Sequence, residues 1–215
     1  MGEMPTVLLL GIGNLLWADE GFGVRAVEAL NREFAFPPNV TLMDGGTQGL
    51  YLIEHIRAAD ILVVFDAVDY GLAPGTMKLV EDGEVPKFLG AKKMSLHQTG
   101  FQEVLATADL FGELPERILL VGVQPEQLED YGGSLRPSVK SRIPAAIEAA
   151  LAWLARLGTE AAPRTVPLAE TTTLSSPEVA LATYEDGRPT ETQAYRHGDA
   201  RVVFGAGDGA GEGAG

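Results

Sequence analysis

Two carboxylates and one imidazole in this chain stand where the side chains of a catalytic or metal site are often found. Asp66 follows the apolar run 61–65, Glu20 precedes an apolar helical pattern, and His97 precedes another. In open α/β sheets, ligands bind in the crevice beyond the carboxyl ends of the strands. Each of the three residues is predicted to lie at that edge, so we expect them to converge.

This combination of donors predicts a metal site with a particular preference. Two carboxylates and an imidazole suit a borderline divalent ion such as nickel, zinc, cobalt or iron. The chain has no cysteine, which excludes a cysteine nucleophile and disfavours copper(I) or an iron–sulfur cluster. Three protein ligands leave one coordination position open, as a catalytic or exchanging site requires.

Each residue taken alone also has a structural explanation. Asp19 and Glu20 both suit the positive end of a helix dipole, and Asp66 can satisfy the amides of a loop. A single histidine such as His97 is more often structural than a ligand. The hypothesis of a site therefore depends on the three residues meeting in one crevice; His55 and His197 are not expected to join them.

The elements that would position these residues follow from hydrophobic periodicity. Apolar runs separated by crossovers long enough to hold helices predict parallel strands. After the turn Ala73-Pro74-Gly75, residues 76–80 alternate as an edge strand does, and the short link before them predicts that this strand is antiparallel. The fold class is therefore α/β: three layers, doubly wound, with a mostly parallel five-stranded sheet, one antiparallel edge strand and helices on both faces. The predicted strands are 7–10, 40–43, 61–65, 76–80 (the edge strand) and 118–123.

A change in composition divides the chain near residue 159. Residues 1–158 form one predicted domain, in which Pro144 either lies in the first turn of the last helix or kinks it. Residues 159–215 are rich in Ala, Thr, Pro, Glu and Gly, which predicts a low-complexity, acidic and glycine-rich tail outside the core, compatible with disorder. Asp186-Gly187 could turn a small hairpin between 179–184 and 192–195.

The composition limits the partners of the chain. Its 215 residues carry 30 acids against 16 bases, a net charge of −14, so no nucleic acid is expected as a partner. The sequence shows no signal-peptide pattern and no apolar run long enough to span a bilayer, so we expect no membrane partner and a cytoplasmic location.

Two glycine motifs suggest places where a ligand approaches the backbone. Gly11-x-Gly13 resembles a dinucleotide fingerprint, but Leu16 stands where the third glycine would be, so the nucleotide signal is weak. Asp44, Gly45, Gly46 and Thr47 follow a predicted strand, and glycines there permit close approach by a peptide. A tight turn with Thr47 as helix cap explains this motif equally well on physical grounds.

Six motifs follow one another along the chain: G-I-G-N-L-L-W-A-D-E-G-F-G-V at 11–24, L-M-D-G-G-T at 42–47, V-V-F-D-A-V at 63–68, P-G-T at 74–76, S-L-H-Q at 95–98 and L-V-G-V-Q-P-E at 120–126. In this combination, over roughly residues 5–157, the chain resembles the hydrogenase maturation proteases. The resemblance implies an endopeptidase that removes the C-terminal peptide from the large-subunit precursor of a nickel–iron hydrogenase after nickel insertion. It also implies nickel binding by Glu20, Asp66 and His97.

The resemblance leads to a mechanistic hypothesis. The nickel arrives with the substrate and is sensed by Glu20, Asp66 and His97, one carboxylate acts as a base, and the Asp44–Thr47 loop grips the substrate backbone. One alternative is a metal-dependent chaperone that binds the precursor without cutting it. Another is a flavodoxin-like nucleotide-binding protein, and a third is an aspartic-type peptidase that uses Glu20 and Asp66 as a metal-free dyad.

Overall fold

The fold was determined from a computed structural model, which describes residues 4–90, 96–169 and 172–188. For residues 88–90 and 96–99 it describes the backbone alone. Among the described residues, no helix is long and apolar enough to cross a bilayer.

The main sheet has five strands, as predicted. In space they run in the order β3 (Val40–Gly46), β1 (Val7–Ile12), β4 (Ile61–Ala67), β6 (Arg117–Val123) and β5 (Met77–Glu81). The first four are mutually parallel, and β5 pairs antiparallel with β6 at one edge. A short antiparallel pair, β2 (Phe34–Ala35) with β7 (Ala162–Pro163), lies outside this sheet.

Helices cover both faces of the sheet, so the predicted three-layer α/β architecture is confirmed. Alternate strand residues such as Leu9 and Leu10 enter two separate cores, because successive side chains in a strand point to opposite faces. The helices are α1 (Phe22–Glu33), α2 (Ile53–Arg57), α3 (Glu84–Gly90), α4 (Leu96–Leu110), α5 (Pro137–Lys140), α6 (Ile143–Arg156) and α7 (Leu181–Gly187), with 3-10 turns at Ala18–Gly21, Gly49–Leu52 and Pro177–Val179.

The strand order places a topological switch point between β1 and β4. From β1 the chain passes outward to β3 on one side and then returns to β4 on the other side. The connections after β1 and β4 therefore leave the sheet in different directions, and a crevice opens between the carboxyl ends of these two strands. Glu20 follows β1, and Asp66 is the penultimate residue of β4.

Two details of the predicted helices are now settled. The predicted last helix consists of α5 and α6, which residues 141–142 separate. Pro144 lies in the first turn of α6, where its missing N–H costs no helical hydrogen bond. It therefore starts this helix and does not kink it.

The prediction for the chain beyond residue 159 is partly wrong. Leu174 packs against the core that α1 and α6 share, and Ala180 is only 1% exposed. The expectation that this whole segment lies outside the core is therefore wrong for its described part. The predicted hairpin is wrong as well, because α7 occupies most of its first arm; its second arm lies outside the described residues.

Candidate active site

Glycines without side chains let the connection from β1 to α1 press directly against the sheet. A Cβ on Gly23 would lie 2.1 Å from the carbonyl oxygen of Phe65 and 2.3 Å from that of Ile12. Gly13 has a φ of +136°, and a Cβ there would lie 1.7 Å from the carbonyl oxygen of Glu20. This packing places the start of α1 between β1 and β4, and the 3-10 turn that carries Glu20 packs against β4.

Glu20 is buried in that turn, with a relative exposure of 9%. Loss of water around the carboxyl group raises its pKa from about 4.5 to about 7, because burial disfavours the charged form. A carboxyl group with this pKa holds its proton part of the time near neutral pH. It can therefore accept or release a proton there, as a catalytic group must.

Asp66 lies at the end of β4, 2% exposed and directly after the Phe65 carbonyl that Gly23 approaches. In the register with β6 it stands opposite Gly122, and a Cβ on Gly122 would lie 1.7 Å from the hydroxyl oxygen of Tyr70. Burial, and next the charge of Asp66, raise the pKa of Tyr70. Tyr70 therefore keeps its phenol proton beside this carboxylate and is a site residue that the sequence reasoning missed.

Asp19 has a structural role that no helix-dipole argument predicts. Its side chain is fully buried and accepts hydrogen bonds from the backbone N–H groups of Glu126 and Gln127, both at 2.8 Å, and of Arg136 at 2.7 Å. These three donors follow β6. Asp19 therefore ties the loop after β6 to the turn that carries Glu20.

Gln124 has a similar role on the other side of the crevice. Its side-chain carbonyl accepts hydrogen bonds from the backbone N–H groups of Tyr70, at 2.7 Å, and Leu72, at 3.1 Å, while its amide donates to Asp69 at 3.0 Å. This buried side chain fixes the loop that follows β4 and with it the position of Tyr70. In the sequence, Gln124 is part of the motif at 120–126, and no pattern predicted its role in fixing this loop.

His97 lies in the first turn of α4, and its side chain is outside the described part of the structure. Its helix begins at the expected edge of the sheet, because Gly100 lies against Gly49, just after β3. Among the described side chains, no group of three histidine, aspartate or glutamate residues is placed to hold a metal ion. Since His97 is not among them, the predicted trio stays a prediction.

The residues from Asp44 to Thr47 form the end of β3 and the start of the loop after it. A Cβ on Gly45 would lie 2.8 Å from the side chain of Leu10, so at Gly45 the absent side chain makes room for the core rather than for a ligand. Gly46 accepts a hydrogen bond from the N–H of Gly13 at 3.0 Å, and Thr47 is exposed. Within the described residues, the buried Oδ1 atom of Asp44 has no hydrogen-bond partner.

The donor chemistry of the crevice fits a divalent cation. Glu20, in the turn after β1, and Asp66, at the end of β4, are buried carboxyl groups on two segments that pack against each other. Burying a carboxylate charge is costly unless a cation or hydrogen bonds compensate for it. The raised pKa of Glu20 expresses that cost. A nucleotide phosphate fits poorly, because negative groups would face it and the chain's own backbone fills the space beside Gly11 and Gly13.

Comparisons with known proteins agree with the fold. The family model for hydrogenase maturation proteases matches residues 24–153. The chain is 62% identical to the hydrogenase expression/formation protein HupD of Thiocapsa roseopersicina, over 94% of this chain and 92% of that protein. It is 45% identical to the hydrogenase 2 maturation protease of Escherichia coli K12, over 74% and 96% respectively.

A solved structure of a hydrogenase maturation endopeptidase also matches this chain. The hydrogenase maturating endopeptidase HybD from E. coli superposes with a TM-score of 0.70 at 42% identity, covering 74% of this chain and 98% of that one. The family match and this superposition define a peptidase of the α/β class. The chain belongs to the hydrogenase maturation protease family, and it is accordingly an endopeptidase.

Proposed function

We propose that this endopeptidase removes the C-terminal peptide from the large-subunit precursor of a nickel–iron hydrogenase after nickel has been inserted. The observation that supports this most directly is the placement of Glu20 and Asp66. Family membership indicates proteolysis in hydrogenase maturation, and two buried carboxyl groups at the β1–β4 switch point supply acid–base and ligand chemistry for it. A cytoplasmic location stays a prediction.

We infer that nickel is part of the substrate and that Glu20, Asp66 and His97 recognise it. The mixed oxygen and nitrogen donors of these side chains suit a borderline ion such as nickel. With all three engaged, a precursor that carries the ion would bind in the crevice, and a precursor without the ion would lack the contact that these three side chains recognise. Cleavage would therefore wait for nickel insertion.

Side chains of this protein would transfer the protons in peptide hydrolysis. A bound ion would supply Lewis-acid polarisation of the scissile carbonyl or of water. Water must lose a proton as it adds to that carbonyl, and the leaving amine must gain one as the C–N bond breaks. Glu20 is one candidate for both transfers, through a carboxyl oxygen that the ion does not occupy. Asp66 is the other candidate base, and Tyr70 holds a proton beside it.

Exposed apolar side chains around the crevice offer a surface for a protein substrate. Each loop that follows one of the four parallel strands exposes at least one: Leu16 is 40% exposed, Tyr51 86%, Leu72 48% and Tyr131 62%. Apolar side chains exposed together around one crevice are able to contact a protein substrate. We propose that the precursor docks on this rim and that the Asp44–Thr47 loop holds the backbone of its C-terminal segment.

The test compares nickel-loaded and nickel-free precursor, each mixed with the purified protein and followed by the size of the large subunit on a gel. We expect shortening of the loaded precursor alone. Equal cleavage of both forms would contradict recognition of nickel and favour the metal-free dyad. A stable complex without shortening would favour the chaperone alternative.

Matched variants make the test specific to the site. Glu20→Gln and His97→Ala should each abolish shortening of the loaded precursor. Glu54→Gln is the control, because Glu54 is an exposed glutamate of α2 that pairs with Arg57. It should cleave as the unaltered protein does.

A further inference from the structure

A C-terminal segment crosses the outside of α1 and contacts loops on both sides of the site. We call residues 172–188 the brace. At one end of the brace, the hydroxyl of Ser175 contacts the carboxylate of Asp44 and lies 2.9 Å from that of Glu28. At the other end, Tyr184 and Glu185 contact the loop after β6.

The contacts at the second end combine charge and hydrogen bonds. The Glu185 carboxylate accepts from the hydroxyl of Ser134 and from the ammonium group of Lys140, both at 2.8 Å, and the hydroxyl of Tyr184 donates to Gly133 at 3.3 Å. Burial raises the pKa of Glu185, but the bonds from Lys140 and Ser134 outweigh this and leave the pKa below its ordinary value. The carboxylate is therefore charged in this position at neutral pH.

The middle of the brace is fastened to α1. The guanidinium group of Arg25, which is only 4% exposed, donates to the carbonyl oxygen of Val179 at 2.6 Å and to Glu28 at 3.0 Å. The same group lies 5.8 Å from the ring centre of Tyr184. A buried guanidinium needs such partners to offset its loss of water, so the brace completes the surroundings of a charge on α1.

The two loops that the brace joins lie on either side of the segment that carries Glu20. The loop after β3 reaches it through the hydrogen bond from Gly13 to Gly46 at 3.0 Å. The loop after β6 reaches it through a bond from the N–H of Gly132 to Leu16 at 2.7 Å and through Asp19. A single segment therefore connects both flanks of the crevice.

We propose that the brace sets the spacing of these two loops and that Ser175 is the positioning residue for Asp44. The carboxylate of Asp44 lies in the loop assigned to the substrate backbone, with one oxygen on Ser175 and the other buried without a partner among the described residues. By holding one carboxylate oxygen of Asp44, the hydroxyl of Ser175 orients the other oxygen. The substrate part of this proposal rests on the proposed function; the mechanical part does not.

The experiment uses the full chain and separates these two parts. Hydrogen exchange followed by mass spectrometry compares the unaltered protein with Ser175→Ala, Glu185→Gln and Ser176→Ala. Ser176 is a matched control because its hydroxyl contacts Glu178 within the brace itself. We expect about tenfold faster exchange in the Asp44–Gln48 loop for Ser175→Ala, and in the Gly132–Ser134 loop for Glu185→Gln, since each loses a hydrogen bond to a charged group.

Unchanged exchange in both loops would overturn the proposal that the brace sets their spacing, whether or not the protein cleaves any precursor. With nickel-loaded precursor, Ser175→Ala should raise KM about tenfold and leave kcat nearly unchanged, because a positioning contact acts mainly on binding. Ser175→Thr should restore KM, because it keeps the hydroxyl. If Ser175→Ala left KM unchanged, or if Ser176→Ala raised it as much, the positioning role of Ser175 would be wrong.

Discussion

Asp19 and Glu20 are adjacent acidic residues, both buried, whose surroundings differ completely. Three backbone N–H groups at 2.7–2.8 Å surround the Asp19 carboxylate. Burial instead raises the pKa of Glu20 to about 7. The first environment supplies three hydrogen-bond donors to the carboxylate and ties the turn to the loop after β6. The second leaves a charge that is costly to keep, which is suited to meeting a cation or a proton.

The comparison shows how one turn can separate structure from chemistry. Asp19 fastens the turn to the loop after β6, and this fastening holds Glu20 at the crevice. We propose that stability is concentrated in Asp19 and reactivity in Glu20. If this is correct, substitutions at the two positions should have opposite effects on stability and on cleavage.

The largest effect should come from Glu20→Gln. The variant keeps the shape of the side chain and removes its charge and proton transfer, so cleavage of nickel-loaded precursor should fall on the order of 10²–10⁴-fold. Its free energy of unfolding at neutral pH should stay the same or rise, since the cost of a buried carboxylate disappears. Initial rates and urea unfolding measure the two quantities. A stable variant with full activity would contradict the assignment of Glu20.

Asp19→Ala should show the opposite balance. Three buried backbone donors would lose their acceptor, which should lower the free energy of unfolding by about 3–5 kcal/mol. In the fraction that remains folded, activity per molecule should be reduced far less than in Glu20→Gln. Urea denaturation followed by circular dichroism measures the stability. A loss below about 1 kcal/mol would show that Asp19 is not the tie described above.

The pH dependence of stability should sharpen the contrast. The pKa of Glu20 is raised from about 4.5 in the unfolded chain to about 7 in the folded one, so the folded state binds the proton more tightly. The stabilisation is complete below about pH 4.5 and is lost as the pH rises through 7, by about 3 kcal/mol in total. Unfolding of the metal-free protein and of Glu20→Gln should therefore differ increasingly between pH 4.5 and 7.5. Parallel curves would contradict the raised pKa.

The smallest effect concerns Gln124, which holds the loop after β4 as Asp19 holds the loop after β6. Gln124→Ala should destabilise the protein by about 1–2 kcal/mol, because Tyr70 and Leu72 lose a neutral acceptor rather than a charged one. Gln127→Ala is the control, since its backbone rather than its side chain binds Asp19. Thermal unfolding of the two variants measures the difference. Equal melting temperatures would show that Gln124 does not hold the loop after β4.

The sequence predicted the parts of the molecule that depend on local pattern. Alternating and continuous apolar runs predicted five strands, the antiparallel edge strand and helices on both faces, all of which are confirmed. The order of the strands was not predicted, since it depends on which edges the crossovers choose. The switch point between β1 and β4, which positions Glu20 and Asp66, therefore became visible only in the structure.

The parts that the sequence missed depend on contacts between distant residues. Asp19 meets residues more than a hundred positions away, and no local pattern distinguishes it from Glu20. The composition of the brace predicted a tail outside the core, but a few specific contacts, such as those of Ser175 and Glu185, fasten it to the domain. Composition describes the average properties of a segment. It does not predict the few side-chain contacts that attach the segment to the domain.

The proposed recognition of nickel requires that Glu20, Asp66 and His97 share one ion. A crystal of the protein prepared with Ni²⁺ and measured at the nickel absorption edge tests this directly. We expect one anomalous peak in the crevice between β1 and β4, with carboxylate oxygens of Glu20 and Asp66 and an imidazole nitrogen of His97 at about 2.0–2.2 Å, as for similar divalent ions. A peak bound elsewhere, or one that any of the three side chains fails to reach, would contradict it.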